Sequence, residues 1–283
     1  MEEAIVFECD NSELLGIIHH AETSKVGVLI VVGGPQYRVG SHRQFVLLAR
    51  KLAQRQIPVM RFDYRGMGDS SGTLRDFESV STDVRLAIDE FCHRCPDVEK
   101  VVIWGLCDAA SAALFYAYTD KRVTGLVLLN PWVRTEEGLN ETHIKSYYIK
   151  RFFSIKLWKS LFGGRLRVSS VKAFIKDLIK WIVNKAKKIV GRRNLDKDLK
   201  NMTLPERMLD GLKKYQGNIL LIISGNDLTA DEFLRVSASP EWQKELATGL
   251  TKKVVIKDAN HTFSTDEWRK QVENETLEWV KEQ

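Results

Sequence analysis

Apolar residues along this chain fall into two rhythms. Short runs rich in Val, Ile and Leu recur through most of its length: VGVLIVV at 26–32, IPVMRFD at 57–63, KVVIW at 100–104, VTGLVLLN at 123–130, GNILLIIS at 217–224 and KKVVIK at 252–257. Runs this continuous suit strands buried on both faces. Between them, apolar positions recur at helical spacing: over 42–56, with Phe45, Leu48 and Leu52 on one side, over 80–95, with Ser81 or Thr82 as the cap, over 110–119, near 229–248 and near 264–281. Two opening runs, 4–9 and 13–20, are close enough to pair antiparallel. The pattern predicts an α/β fold: a doubly wound, mostly parallel sheet of about eight strands with helices on both faces.

One stretch breaks the rhythm. From Asn130 to about Lys214 no strand follows a helix, and aromatic residues accumulate, among them Trp132, Tyr147, Tyr148, Trp158 and Trp181. Within 170–190, Val171, Phe174, Ile175, Leu178 and Ile182 share one helical stripe with lysines opposite. Residues 131–214 therefore read as a helical lid inserted into a core made of 1–130 and 215–283.

Charge sharpens that division. The whole chain of 283 residues carries +6, yet 145–193 holds fifteen Lys and Arg and a single acid, Asp177. The remainder is acidic. A basic segment of this kind is either a solvated helical face or a docking face for a membrane surface or an acidic carrier protein. Composition is otherwise that of a globular protein, with 44% hydrophobic and 28% charged residues. The first residues lack a basic flank before an apolar block, and no apolar run approaches the roughly 18 residues of a membrane span. The four cysteines, Cys9, Cys92, Cys95 and Cys107, are few and irregularly spaced, so a reduced, cytoplasmic protein is expected.

Candidate chemistry gathers where the strand runs end. GLCDAAS (105–111) follows KVVIW and precedes a small-residue helix, the position of a nucleophile elbow, with Cys107 as the nucleophile. Gly105 and Ala109 supply the small neighbours such a strained turn needs. Asp227 follows the strand run at 217–224 and His261 the one at 252–257, so nucleophile, acid and base come in the order of a Cys-His-Asp triad. Asp227 stands only two residues after Gly225, which leaves Asp231 as a fallback acid. The loop VVGGPQYRVGSHR (31–43) should provide an oxyanion donor. Pro35 has no amide hydrogen, so Gly34 or Gln36 must donate, and Gly34 is favoured, with the amide of Asp108 as the second donor. Gln36, Tyr37, Arg38 and His42 follow as polar groups at a pocket mouth, readable as substrate contacts or as ordinary loop and cap residues. The start of a helix favours a thiolate at Cys107, whereas the Asp108 carboxylate opposes one.

Other signals are weak. RFDYRGMGDSSG (61–72) is not a dinucleotide fingerprint, because no helix opens on a G-x-G-x-x-G there, and no phosphate-binding loop motif occurs. Cys92 and Cys95 form a C-x-x-C without a second pair to complete a zinc site. No cofactor and no metal are expected.

Together these residues resemble the α/β-hydrolase superfamily over nearly the whole chain apart from the insertion. GGP at 33–35 resembles the oxyanion loop of proline-iminopeptidase-like members, and the cysteine nucleophile resembles dienelactone hydrolase. GGPQYRVGSHRQF, RFDYRGMGDS and GLCDAASA together are similar to the exosortase A system-associated hydrolase type 1 family, known from bacterial exosortase and exopolysaccharide gene neighbourhoods. The resemblance implies an acyl or ester hydrolase without a defined substrate. Because thiolate is itself a good leaving group, the chemistry favours thioesters, activated esters and lactones over amides. The aromatic insertion suits an apolar acyl part, and its basic face an anionic handle such as a carrier-linked pantetheine. An acyltransferase sharing the site and a non-catalytic acyl- or lipid-binding protein are the competing readings. Nucleic acid is not expected, since the basic segment sits beside a full catalytic set.

Overall fold

The computed structural model describes residues 1–22, 24–34, 36–134 and 202–283. Pro35 and the basic, aromatic segment read as a lid, apart from its two ends, lie outside the described residues. Those described form a compact unit, Met1–Arg134 with Leu204–Gln283.

Eight strands make one sheet: β1 (Glu2–Cys9), β2 (Ser12–His19), β3 (Val26–Val31), β4 (Val59–Phe62), β5 (Lys100–Leu106), β6 (Val123–Leu129), β7 (Asn218–Ser224) and β8 (Thr251–Ile256). Their spatial order is β1-β2-β4-β3-β5-β6-β7-β8. The opening hairpin is antiparallel, β2 meets β4 antiparallel, and every other pairing is parallel. Burial follows the composition of each run. The central strands β5, β6 and β7 are buried along almost their full length, whereas β1, with charged and apolar residues interleaved, alternates between exposed and buried positions.

Helices cover both faces. They are α1 (Gln44–Gln54), α2 (Ser81–Arg94), α3 (Asp108–Tyr116), α4 (Leu204–Lys214), α5 (Leu228–Ser237), α6 (Pro240–Leu246) and α7 (Asp266–Val280). Phe45, Leu48 and Leu52 bury the inner stripe of α1, and Phe45 meets Trp104 of β5 edge-on at 5.4 Å. Burying a side chain of that size stabilises the fold by about 3 kcal/mol.

Three local expectations shift. The helix expected near 229–248 is two, because Pro240 starts a second helix after Ser239 turns extended. α2 begins at Ser81 itself, with Val80 at the cap and no side-chain cap bond. Leu204–Lys214, grouped with the insertion by its sequence, is a helix whose Met208 and Leu212 are buried and which packs on α3.

Candidate active site

Parallel strands deliver their carboxyl ends to one edge of the sheet, and Cys107, Asp227 and His261 all follow such ends. Cys107 closes β5 and precedes α3 with φ 63° and ψ −123°, a left-handed conformation that a side chain adopts only at a cost. The glycine two residues earlier is required: a Cβ at Gly105 would lie 2.7 Å from the carbonyl carbon of Ala109. The strand thus turns into the helix with almost no room between them. Cys107 is held by its N–H to Leu129 O at 2.9 Å, and its carbonyl accepts from Trp132 N at 3.2 Å.

Asp227 and His261 come from the adjacent ends of β7 and β8. His261 Nδ1 lies 2.7 Å from Asp227 Oδ2, and both side chains are largely buried. Asp227 also caps α5, accepting from Thr229 N at 3.3 Å and Ala230 N at 3.1 Å. Its carboxylate is therefore fixed before it meets the imidazole, and it fixes which ring nitrogen faces away. Asp231, the fallback acid, is exposed on α5. A charge on the His261 ring would lie close enough to the elbow to lower the pKa of Asp108.

Asn130 was missed by sequence reading. It is fully buried at the end of β6, with φ 42°. Its Oδ1 accepts from Ser224 N at 2.8 Å, and its Nδ2 donates to His261 O at 3.1 Å and to the Ser224 hydroxyl. One amide thus ties the end of β7 to the histidine loop. Its only signal in the sequence was a polar residue ending an apolar run.

The oxyanion loop departs from expectation. Gly34, with φ 59°, does lie against the elbow, but its N–H donates to Asp108 Oδ2 at 2.9 Å. Burial pushes the Asp108 carboxyl up to about 6, against the pull of the Gly34, Ala109 and Asp108 N–H groups.

The polar residues after Gly34 mostly hold the loop rather than face outward. Gln36 Oε1 accepts from Ser41 N at 3.0 Å. Arg38 donates through its backbone N–H to Asp63 Oδ1 at 2.6 Å and through its guanidinium to Asp63 and Asp69. Arg61 donates to Arg38 O at 2.6 Å and to His19 Nε2 at 2.9 Å. His19 can accept because burial, then the Arg61 charge, brings its pKa down to about 4 and keeps it neutral. Asp63, wholly buried, belongs to the DYRGMGDS loop, so this segment is the clamp for the oxyanion loop. Tyr37 and His42 remain exposed, the former 45%.

Neither a helix long and apolar enough to cross a membrane nor a cluster of metal-ligating side chains is present among the described residues.

The family described as "Serine aminopeptidase, S33" matches residues 25–262. No curated protein matches the chain. Among solved structures, the Pyrococcus furiosus esterase Pf2001 superposes with a TM-score of 0.65 at 15% identity, covering 100% of this chain and 90% of that one. Est1E from Butyrivibrio proteoclasticus, solved with ferulic acid bound, gives 0.61 at 15% identity over 99% of both chains. The α/β hydrolase GrgF from a Penicillium species gives 0.61 at 16% identity, over 100% of this chain and 98% of that one. At such identities the likeness is one of fold, the α/β-hydrolase fold.

Proposed function

We propose, for a chain that belongs to the serine aminopeptidase, S33, family, that a cysteine stands here as the nucleophile and that the reaction is hydrolysis of an ester or thioester through an acyl-Cys107 intermediate. One observation carries the reading. Cys107 occupies a strained strand-to-helix elbow, and the ends of β7 and β8 present a buried His261–Asp227 pair at 2.7 Å.

In this mechanism the sulfur of Cys107 attacks the substrate carbonyl carbon, and its proton passes to His261. The C–S bond forms as the carbonyl becomes an oxyanion. Collapse breaks the bond to the leaving group, which departs with the proton from His261. Water, deprotonated by the same imidazole, then attacks the thioester and releases the acid and the thiol. Asp227 holds the imidazole in its tautomer and stabilises its charged form. The N–H groups of Gly34 and Asp108 serve the oxyanion.

The substrate class follows from leaving-group chemistry, which favours activated esters, thioesters and lactones. Solved neighbours named as esterases support the ester end of that range. The basic segment at 145–193 supports an anionic handle on the acyl group, from a carrier or a membrane surface. Likeness to the exosortase A system-associated hydrolases supports a place beside bacterial exopolysaccharide functions. Four cysteines, none in a disulfide, fit a reducing, cytoplasmic setting.

The test is intact-mass spectrometry of wild-type protein, His261→Ala and Cys107→Ala after exposure to acyl thioesters and aryl esters. An acyl adduct on residue 107 that persists in His261→Ala and is missing from Cys107→Ala is the expected result. Substrate turnover unaffected by Cys107→Ala would overturn the reading. Partition of the acyl group between water and added amines or alcohols separates hydrolysis from transfer.

A further inference from the structure

The place where an oxyanion should sit is filled by a side chain of the protein itself. Asp108 is 9% exposed, and its Oδ2 accepts the Gly34 N–H at 2.9 Å. Its Oδ1 is buried and takes no hydrogen bond among the described residues. The fit is made by the loop: a Cβ at Gly33 would lie 2.3 Å from that same Oδ1, so only glycine leaves room for the carboxylate. The N–H groups of Asp108 and Ala109, at the start of α3, also act on it. A carboxylate, though planar, carries negative charge on oxygen as a tetrahedral oxyanion does, and here it holds the Gly34 N–H that such an oxyanion would need.

We propose that Asp108 is a built-in inhibitor of the oxyanion site, and that a substrate carbonyl gains the Gly34 and α3 donors only when this side chain turns out or takes a proton. The proposal rests on the acyl-transfer reading of Cys107. A charged acceptor holds N–H donors more strongly than a neutral ester carbonyl does. The ground-state substrate therefore does not displace it, and the block is a barrier that every acylation must cross.

Burial works the other way. It opposes the charge on Asp108 and sets the carboxyl near 6, so the stronger, ionised acceptor prevails above that pH and weakens below it. The groups that act on Asp108 or respond to it are buried Tyr64 following β4, whose phenol responds to its charge, and His261 from the end of β8, which is bonded in turn to Asp227; Cys107 precedes it in the chain. A pH profile of activity alone would not isolate this contact. The contact is better read directly.

The experiment uses the full chain as wild type, Asp108→Asn and Asp108→Ala. The Gly34 amide proton, followed by ¹H–¹⁵N NMR between pH 8 and 5, should move upfield through one midpoint near 6 in wild type and lose that midpoint in both variants. At pH 7.5, acylation of Cys107 by 4-nitrophenyl acetate uses the oxyanion donors, and alkylation by iodoacetamide does not. The ratio of the two rates should rise about tenfold or more in both variants, since one such donor is worth at least that much in rate. A Gly34 amide that does not titrate, or a ratio unchanged or lowered in the variants, would overturn the proposal alone. Cys107 that takes iodoacetamide but no acyl group in any of the three proteins would overturn both the proposal and the acyl-transfer reading.

Discussion

Two regions of this molecule each place a cysteine beside a histidine and a carboxylate, and they differ in everything except those residue types. At the carboxyl edge of the sheet stand Cys107, His261 and Asp227. Across the fold, Cys95 Sγ lies 3.8 Å from His20 Nδ1, and His20 Nε2 lies 2.6 Å from Glu3 Oε2. Cys107 begins a helix; Cys95 ends one, at the cap of α2. The first place offers the positive end of a helix to a thiolate, the second the negative end. Burial, followed by the charges of Cys92, Glu3 and Asp97, pushes the Cys95 thiol up to about 11. Asp227 is pinned by two backbone N–H groups, whereas Glu3 is shared with Arg94 on the surface. On the proposed reading, a reactive thiol is a matter of backbone and helix polarity, and the list of side chains alone does not find it.

The largest contrast expected is in turnover. Cys107→Ala should lower kcat/KM for an aryl ester by about 10⁴, while Cys95→Ala leaves it within about twofold, measured under identical steady-state conditions; comparable losses would erase the distinction. Next come the histidines. His261→Ala should cost about 10³ in kcat, within the range of a lost general base, and His20→Ala should cost none.

Thiol reactivity at Cys95 should fall about a hundredfold below that of free cysteine. A thiol with its pKa near 11 is protonated at pH 8, so Cys95 in the folded protein should react with iodoacetamide about 100 times more slowly than free cysteine. Peptide mass mapping over pH 7–11 should show its modification rising only toward the top of that range. A tenfold effect is expected at the support: Asn130→Ala frees the His261 carbonyl, and should lower kcat about tenfold and stability by about 2 kcal/mol in urea unfolding. The smallest is Glu3→Gln, which should leave both Tm and kcat unchanged, because His20 and Glu3 remain partly open to solvent.

Much of the fold was legible because each buried strand is a separate run of Val, Ile and Leu, and eight runs became eight strands. The placement of Cys107, Asp227 and His261 at strand ends was legible for the same reason, since each follows such a run. What the sequence hides is set by packing between distant segments. The Arg38–Asp63 clamp joins residues 25 apart with no shared periodicity. Asn130 looks like the last residue of a strand until Ser224 and His261 are placed around it. The direction of the Asp108 side chain depends on the space left at Gly33, which no local pattern records. The break before α6 was readable, since Ser239 precedes Pro240, but the apolar spacing on either side masked it.

The mooring of α3 has a consequence for how this chain can change. The stretch 135–203 leaves the core after Trp132, whose N–H is bonded to Cys107 O and whose carbonyl accepts from the Ser111 hydroxyl. It returns as α4, where Arg207 lies over the Phe115 ring of α3 at 4.4 Å. Departure and return are thus tied to one helix, the one that begins at the cysteine. The closure entropy of a segment with fixed ends grows only with the logarithm of its length, about 0.6 kcal/mol per doubling. The length between these two moorings can therefore change at little cost to the elbow from which α3 starts.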